Sequence, residues 1–415
     1  MISAQRAGKP EVKEGRMGPL EGVKVLDLSA VVSGPLTGAM LADQGAQVIK
    51  VERLTGDIQR NVGSKRNGYS GSFHVLNRGK RSIAVDLSSA RGVKLVQQLA
   101  DSVDVVVQNF RPGVIDRLGL GYAALAVTNP RIIFLSISGF GQSGPKAGKR
   151  AYDPIIQMYS GIADVQGQKR GEGPEQVNQL LMDKLTAYTG FQAITAALYA
   201  REKSGVGQHI ELSMLDTAVA FLWPDAGADN ILLGEDIDHH PPIRAAGTVV
   251  ELVDGWGAIM TLSDHEFAGL CRALALTDMA ADSRFNSLKG RQQNRQVYVE
   301  VVKNAVADAT KGMTLAELTE KLDAEHVPFA HARSLDELPS DAQIQANALF
   351  YERVHPIAGL VREVRPAPIF SGTPTVTGGF GPAIGQDTRD ILAEAGLAED
   401  IEGLLRDGVV GQASE

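Results

Sequence analysis

The chain contains a single cysteine, Cys271, among its 415 residues. One thiol cannot form an intrachain disulfide or supply a cysteine-rich zinc site. The residues around Cys271 have the pattern of an amphipathic helix, so we expect a buried, unreactive thiol there. This cysteine content is typical of a reducing compartment, and we expect a cytoplasmic location.

Long apolar segments are also missing. No run of about 18 apolar residues occurs, which argues against a membrane-spanning helix. Residues 1–18 mix charges, glycine and proline without the apolar stretch of a signal peptide, and we predict a flexible leader for them.

Basic residues are in the minority: 41 Lys and Arg stand against 49 Asp and Glu, and the net charge is −8. An acidic protein repels polyanions at long range, so we expect neither nucleic acid nor a membrane surface as a partner. A polyanionic ligand would therefore need a local basic site.

Several catalytic signatures are absent. The eight histidines are scattered, which predicts neither a metal site nor a Ser-His-Asp triad, and no G-x-S-x-G elbow occurs. The first predicted βα turn lacks the G-x-G-x-x-G fingerprint. A nicotinamide or flavin enzyme is therefore disfavoured, and we expect no permanently bound cofactor.

Short apolar segments alternate with helical patterns in the first half of the chain. Strands apolar on both faces, separated by helices, are typical of a parallel sheet covered on both sides. We therefore predict an α/β fold with a large doubly wound, Rossmann-like domain. The predicted strands are Val23–Leu28, Gln47–Glu52, Arg81–Asp86, Val103–Gln108 and Ile132–Ser136, and the predicted helices are Pro35–Leu41, Ala90–Asp101 and Asp183–Lys203.

The amino-acid composition changes at the segment EDIDHHPPIRAAG, which is acidic and proline-rich. This change predicts a crossing into a smaller α+β domain. That domain would hold strands Thr248–Leu252 and Gly257–Leu262, followed by helices. The predicted organisation is a leader at 1–18, a large domain at 19–232, a small domain at 233–335, and a C-terminal segment at 336–415 that returns to the large domain.

The segment from Lys50 to Arg81 carries eight basic residues against two acidic ones, Glu52 and Asp57. Such runs are most often solvated faces. Because the local sign opposes the global sign beside predicted strands, a phosphate-bearing ligand is a second interpretation, and a protein or RNA partner is a weaker third. Asn109-Phe110-Arg111 follows another strand and adds a stacking ring and a forked donor.

Asp183 directly precedes the longest helical pattern, where an aspartate is usually an N-cap. The same position would hold a carboxylate ionised beside free backbone N–H groups, as nucleophilic attack on an acyl carbon requires. Asp153, in Tyr152-Asp153-Pro154, is interpreted as a cap of the next helix.

Several collinear segments then point to a family. The chain resembles the class III CoA-transferases, which include formyl-CoA transferases, carnitine CoA-transferases and α-methylacyl-CoA racemases. The matching segments are GPLEGVKVLDLS, ADQGAQVIKVER, NRGKRSIAVDL, VQNFRPGVIDRLGLGY, SISGFGQSGP, YDPIIQMYSG, AALYAREKSGVGQHIELSMLD, PIFSGTP and GFGPAIGQDT.

The resemblance implies that Asp183 attacks an acyl-CoA thioester and carries first an anhydride and then an aspartyl-CoA thioester. An acyl-CoA and a small carboxylic acid would be the substrates. The resemblance also implies an interlocked homodimer. It further implies that Arg53 and Arg117 bind the CoA phosphates. The complete set of implied CoA contacts is Val32, Ser33, Arg53, Val85, Ser88, Asn109, Phe110, Arg111, Arg117, Ser138 and Gly139.

Two departures from the family pattern bear on the reaction. The racemases have a histidine where this chain has Tyr152, and a phenol is a poor base at neutral pH. The glycine run of formyl-CoA transferases is replaced here by AAGTVVELVDG, which disfavours formyl or oxalyl specificity. An acyl-CoA racemase or isomerase, and a CoA-binding protein without catalysis, remain the alternatives to transfer.

Overall fold

The computed structural model describes residues 18–167, 173–237, 247–375 and 378–413. The predicted leader, apart from Gly18, and most of the proline-rich crossing segment lie outside these residues. The chain forms two compact units: one comprises the residues up to Phe221 together with those from Ala348 onward, and the other is Leu222–Asn347. Sequence analysis placed the corresponding boundaries after residues 232 and 335.

The strands of the described residues are β1 (Lys24–Asp27), β2 (Gln47–Glu52), β3 (Lys65–Arg66), β4 (Tyr69–Ser70), β5 (Lys80–Val85), β6 (Val105–Gln108), β7 (Ile133–Ser138), β8 (Gln208–Ser213), β9 (Gly247–Leu252), β10 (Gly255–Met260), β11 (Phe329–His331), β12 (Phe350–His355), β13 (Gly359–Val364) and β14 (Val410–Gly411).

The α-helices of the same ranges are α1 (Ser33–Asp43), α2 (Gly71–Asn77), α3 (Ala90–Ala100), α4 (Val114–Arg117), α5 (Tyr122–Thr128), α6 (Asp153–Ser160), α7 (Ile162–Gly167), α8 (Leu181–Ser204), α9 (Met214–Leu222), α10 (Asp264–Ala273), α11 (Thr277–Ala281), α12 (Leu288–Gln293), α13 (Arg295–Thr310), α14 (Leu315–Ala324), α15 (Ala342–Ala346), α16 (Thr388–Glu394) and α17 (Ile401–Arg406). None of the helices in these ranges combines the length and the apolar composition that crossing a bilayer requires.

The larger unit is built on a seven-stranded sheet in the order β14-β5-β2-β1-β6-β7-β8. Every neighbouring pair is parallel except β14 with β5. The predicted parallel sheet is therefore confirmed. The continuous apolar runs in the sequence arise because both faces of the central strands are covered.

Alternate residues of the strands pack into two different cores. Val25 lies in a cluster with residues of α1 and α8, such as Leu41 and Ile194. Its neighbour Leu26 lies in a second cluster with residues of α3 and α16, such as Leu95 and Ile391. The period-2 geometry of a strand places consecutive side chains on opposite faces, so one short strand anchors both helical layers.

Helices α1 and α8 approach each other closely above the first of these faces. The Thr37 hydroxyl donates to the Ala187 carbonyl at 3.3 Å. A Cβ on Gly190 would come within 3.0 Å of Leu135 and 3.2 Å of Thr37. Because residue 190 is a glycine, α8 can lie against the sheet. This packing fixes the position of the first turn of α8.

The C-terminal part of the chain completes the sheet. Val410 and Gly411 pair antiparallel with β5, and the Asp387 carboxylate accepts the backbone N–H of Ser82 at 2.8 Å. Helix α16 begins at Thr388, directly after this aspartate.

The smaller unit has its own core around a three-stranded antiparallel sheet in the order β11-β10-β9. Ser263 and Thr314 each begin a helix with a capping box, closed by Glu266 and Glu317. Cys271 is buried in this core, as predicted, and burial raises the pKa of its thiol to about 11.

Candidate active site

The candidate site lies at the carboxyl edge of the parallel sheet. β1 is flanked by β2 on one side and β6 on the other, so the connections that leave β1 and β6 diverge there. Open α/β sheets bind ligands in the crevice that such a switch point creates. The segments that follow the strands therefore converge on one place, although they are far apart in sequence.

Two adjoining cavities occupy this edge. One has a volume of about 260 Å³ and is lined by Ser33, Ser138 and Asp183, among others. The other has a volume of about 450 Å³ and reaches Val85 and Ser88. Both are lined by Leu28, Ala30, Arg53 and Phe110, so together they form one extended cleft.

Asp183 occupies the first turn of α8. The helix begins at Leu181 and its N-cap residue is Leu180, so the prediction that Asp183 is the N-cap is wrong. The misplacement arises because Leu181 and Met182 extend the helix by two residues ahead of the aspartate. The carboxylate of Asp183 consequently does not cap its own helix and stays available to the cleft.

The electrostatic surroundings of Asp183 also differ from the prediction. Burial raises the pKa of its carboxyl to about 6, and the charge of Asp153 acts in the same direction. The hydroxyl and the backbone N–H of Ser33, which lines the same cavity, oppose that rise in pKa. With a pKa of about 6, about 90% of the groups are ionised at pH 7.

Asp153 stabilises the start of α8 rather than the start of its own helix. It is the first residue of α6, and Tyr152 is the N-cap residue. Its carboxylate accepts the backbone N–H of Asp183 at 2.9 Å and the side-chain amide of Gln157 at 2.6 Å. The predicted capping role is therefore corrected: Asp153 supplies the missing acceptor to the neighbouring helix.

The cleft holds cations without carboxylate partners. Arg53 and Arg111 line the cavity with Asp183, and neither has a hydrogen bond or ion pair from its guanidinium to the described residues. Lys149 lines the same cavity, and its ammonium group also has no hydrogen bond or ion pair to the described residues. Other arginines form ion pairs, such as Arg60 with Glu52 and Arg78 with Asp43. An anionic ligand would neutralise the cations of the cleft.

The basic segment from Lys50 to Arg81 is mostly neither a solvated face nor a ligand site. Lys50 and Lys80 are fully buried and form ion pairs with Asp57 and Asp27 at 3.0 and 2.7 Å. Of the eight basic residues, Arg53 is exposed and lines both cavities. The phosphate interpretation therefore applies to Arg53, while the deepest lysines are structural.

The structure brings most of the predicted contact residues to the cleft. Nine of the eleven line one or both cavities: Ser33, Arg53, Val85, Ser88, Asn109, Phe110, Arg111, Ser138 and Gly139. Val32 is buried, and Arg117 is exposed at the end of α4; neither lines these cavities.

Asn109 has a structural task in addition to its place on the cleft wall. Its side-chain amide donates to the Ala30 carbonyl at 2.6 Å, and its side-chain oxygen accepts the Ala30 N–H at 2.9 Å. Both polar ends of Asn109 therefore hold the turn after β1.

Sequence reasoning missed Lys149 and Asp57. Lys149 follows the motif SISGFGQSGP and carries no signal of its own beyond its charge. Asp57 was counted only as an acidic residue in a basic segment, yet its carboxylate contacts the βα turn. The Gly56-Asp57 dipeptide after β2 is a local signal for a turn.

Comparisons with known proteins identify the class. The model of CoA-transferase family III matches residues 20–388. The chain is 34% identical over 414 residues to the succinyl-CoA:glutarate CoA-transferase of Mus musculus, covering 98% of this chain and 93% of that protein. It is also 34% identical over 395 residues to the succinate–glutarate CoA-transferase of Agrobacterium fabrum, covering 91% and 96%.

Solved structures agree with this result. A CAIB/BAIF family protein from Brucella suis is 30% identical and has a TM-score of 0.78, covering 92% of this chain and 100% of that one. A doubly wound sheet with a cleft lined by cations at its switch point is typical of a ligand-binding α/β protein. The chain belongs to CoA-transferase family III and is a CoA-transferase, whose substrates are CoA thioesters.

Proposed function

We propose that this enzyme transfers CoA from an acyl-CoA to a carboxylic acid through covalent intermediates on Asp183. The observation that carries the proposal is the Asp183 carboxylate itself. It faces a cleft with unpaired cations, the polar groups of Ser33 lower its pKa, and a pKa of about 6 leaves it ionised at neutral pH. A partly desolvated carboxylate of this kind is suited to attack an acyl carbon.

The first half of the reaction loads CoA onto the enzyme. A carboxylate oxygen of Asp183 attacks the thioester carbonyl, the carbon–sulfur bond breaks, and CoA leaves as a thiolate. The product on the enzyme is a mixed anhydride. The thiolate then attacks the Asp183 carbonyl, which expels the donor acid as a carboxylate and leaves an aspartyl-CoA thioester.

The second half repeats these steps with the acceptor. Its carboxylate attacks the aspartyl thioester, the thiolate leaves, and a second anhydride forms. Attack of the thiolate on the acceptor carbonyl releases the new acyl-CoA and regenerates the Asp183 carboxylate. No proton is transferred in any step, so the sequence needs no general base. Exclusion of water keeps the activated intermediates from hydrolysis.

The cleft gives CoA a path to Asp183. Phe110 lines both cavities and offers a ring for stacking, and Arg53 beside it offers a forked donor for phosphate. Ser88 lines the larger cavity but not the one that Asp183 lines. We assign phosphate binding to Arg53 and Arg111. Arg117, which the family resemblance also implies, would have to reach CoA from outside the cavity walls.

The acceptor is proposed to be a short dicarboxylic acid. Both curated relatives described above are named for transfer between succinate and glutarate derivatives. In this chain Lys149 is exposed and lines the cavity with Asp183, without a partner among the described residues. One carboxylate of a diacid would react, and the other would pair with such a cation.

The rival racemase activity is disfavoured by Tyr152, which lines the same cavity with its side chain 65% exposed. A racemase must remove a proton from the acyl α-carbon, and a tyrosine at the histidine position is a poor base. Exchange of that proton with deuterated water in the absence of any acid would favour the rival.

An interlocked homodimer belongs to the same proposal and rests on the family resemblance. It would have twice the chain mass of 44.1 kDa. Light scattering after size-exclusion chromatography would test it, and a monomer at micromolar concentration would refute it.

The transfer assay that tests the function pairs succinyl-CoA with glutarate and monitors both CoA thioesters by liquid chromatography. Formation of glutaryl-CoA by the wild type, and its loss in Asp183→Asn, is the expected result. Asp43→Asn is a matched control, because Asp43 is a buried carboxylate that lines neither cavity. Equal rates in the wild type and Asp183→Asn would refute the proposal.

A further inference from the structure

Val31 adopts a backbone conformation that β-branched residues rarely take. Its φ is +72°, in the left-handed region, and it lines the cavity with Asp183. Such outliers persist only when the surrounding structure holds them in place, and they concentrate at functional sites. The question is what holds Val31 and what the strained turn positions.

The Asp57 carboxylate holds Val31 directly. The backbone N–H of Val31 lies 3.3 Å from each of its two oxygens. The same carboxylate accepts the Gln59 N–H at 3.0 Å and forms an ion pair with the Lys50 ammonium at 3.0 Å. The Lys50 and Asp57 side chains are only 1% and 2% exposed, so this contact is screened very little by solvent.

Two further contacts hold the residues just before Val31. The Lys50 ammonium also donates to the Ser29 carbonyl at 3.0 Å. Asn109 holds both backbone groups of Ala30, as described above. Three consecutive residues of the turn are thus fixed by side chains that come from β2, from the segment after β2, and from the segment after β6.

The turn leads straight to the group that contacts Asp183. Ser33 follows Val31 by two residues and is the first residue of α1. Ser33 and Asp183 line the same cavity, where the hydroxyl and backbone N–H of Ser33 lower the pKa of the Asp183 carboxyl. A change in the φ of Val31 would swing the chain direction entering α1 and displace both donors.

We propose that Asp57 is a positioning residue for the reaction: by holding Val31 in the left-handed conformation it places the two Ser33 donors against the Asp183 carboxylate. This inference rests on the proposed function, in which Asp183 is the nucleophile. Buried ion pairs are weak evidence for stability. The Lys50–Asp57 pair is explained instead by the geometry it imposes on the turn.

Asp57→Asn is the direct test. One carboxylate oxygen faces the Lys50 ammonium and the Val31 N–H, and the other faces the Gln59 and Val31 N–H groups. In either orientation of the asparagine amide, its NH₂ group faces an N–H or ammonium donor and cannot accept that hydrogen bond. We expect kcat to fall about 10- to 100-fold, and the acid limb of the kcat–pH profile to move upward from about 6, because the Ser33 donors that oppose protonation of Asp183 are displaced.

Rescue separates positioning from general damage. Glycine adopts a positive φ without strain, so Val31→Gly should raise the kcat of Asp57→Asn by about fivefold or more, while it does not raise the kcat of the wild type. Asp43→Asn is the control for loss of a buried ion pair, since Asp43 pairs with Arg78 at 2.5 Å away from the cleft. It should leave the acid limb in place.

A second variant covers the case in which Asp57→Asn fails to fold. Lys50→Met with Asp57→Leu removes both buried charges together, which proteins tolerate far better than one unpaired charge. It should show the same kinetic defect and the same rescue by Val31→Gly.

The outcomes are distinguishable. A folded Asp57 variant with the wild-type kcat and acid limb, or one that Val31→Gly does not rescue, overturns the positioning role alone. Absence of any acyl adduct on Asp183 in the wild type overturns the proposed function, and with it this inference.

Discussion

Two aspartate sites near the β1 end of the sheet differ in one neighbour. Asp27 is fully buried and accepts hydrogen bonds from Ser29, and Lys80 lies 2.7 Å away. The polar groups of Ser33 lower the pKa of Asp183, and its charged neighbour is Asp153. Burial opposes ionisation at both sites. The cations Lys80 and Lys50 outweigh it at Asp27, whose pKa is lowered, whereas Asp153 adds to it at Asp183, whose pKa is raised to about 6.

The difference separates a structural carboxylate from the one that we propose as the nucleophile. A carboxylate neutralised by a buried lysine is a poor nucleophile, because its charge is already engaged. A carboxylate that is desolvated, held by two neutral donors and left without a cation keeps its reactivity. Perturbed carboxyls of the second kind are concentrated in active sites.

The largest effect should come from the reactive site. Asp183→Ala is expected to reduce CoA transfer about 10³-fold or more, because it removes the carboxylate that we propose as the nucleophile. Thermal unfolding should remain cooperative. Residual transfer within about tenfold of the wild type would mean that Asp183 is not the nucleophile.

At the structural site the corresponding loss should appear in stability. Lys80→Met leaves the Asp27 carboxylate buried without its cation, and we expect unfolding to become easier by about 3–5 kcal/mol. Urea denaturation followed by circular dichroism measures this. The double variant Asp27→Leu with Lys80→Met should recover most of the loss. A single variant as stable as the wild type would contradict the role assigned to the pair.

Removing the charge of Asp183 should increase the free energy of unfolding, whereas Lys80→Met should decrease it. The folded-state pKa of Asp183, about 6, lies above its ordinary value of 3.8, so ionisation costs folding free energy as pH rises through that interval. Asp183→Asn should therefore stabilise the protein by about 1–3 kcal/mol at pH 7.5. The gain should disappear near about pH 4. A gain that persists at low pH would assign the effect to packing instead.

The smallest effects should come from the neighbours of Asp183. Ser33→Ala removes a donor that lowers the pKa of Asp183, so the acid limb of the kcat–pH profile should move upward from about 6. Asp153→Asn removes the adjacent negative charge, so the limb should move downward. If the acid limbs of both variants coincide with that of the wild type, another group controls the kcat–pH profile.

The sheet could be predicted from sequence because its signal is local. The bounds of β2 match the prediction residue for residue, and each predicted strand of the large domain overlaps an observed one. Apolar runs of this kind indicate burial on both faces of the sheet. The signal lies within each strand, so few distant contacts need to be known. The start of α8 was misplaced because no N-cap side chain marks it.

The contacts between charged residues could not be predicted because their partners are far apart in sequence. Lys80 and Asp27 are separated by 53 residues, and Asp183 and Asp153 by 30. From sequence alone, Lys80 and Arg53 are equivalent members of one basic segment. Which of them is buried against a carboxylate is decided by the order of strands in the sheet.

The most direct measurement is to locate the intermediate. The enzyme is incubated with succinyl-CoA and no acceptor, then treated with borohydride, and its peptides are mapped by mass spectrometry. An aspartyl thioester would be reduced to homoserine, and the account predicts that change at Asp183 only when the thioester is supplied. Reduction at a different residue, or none while transfer proceeds at its normal rate, would contradict it.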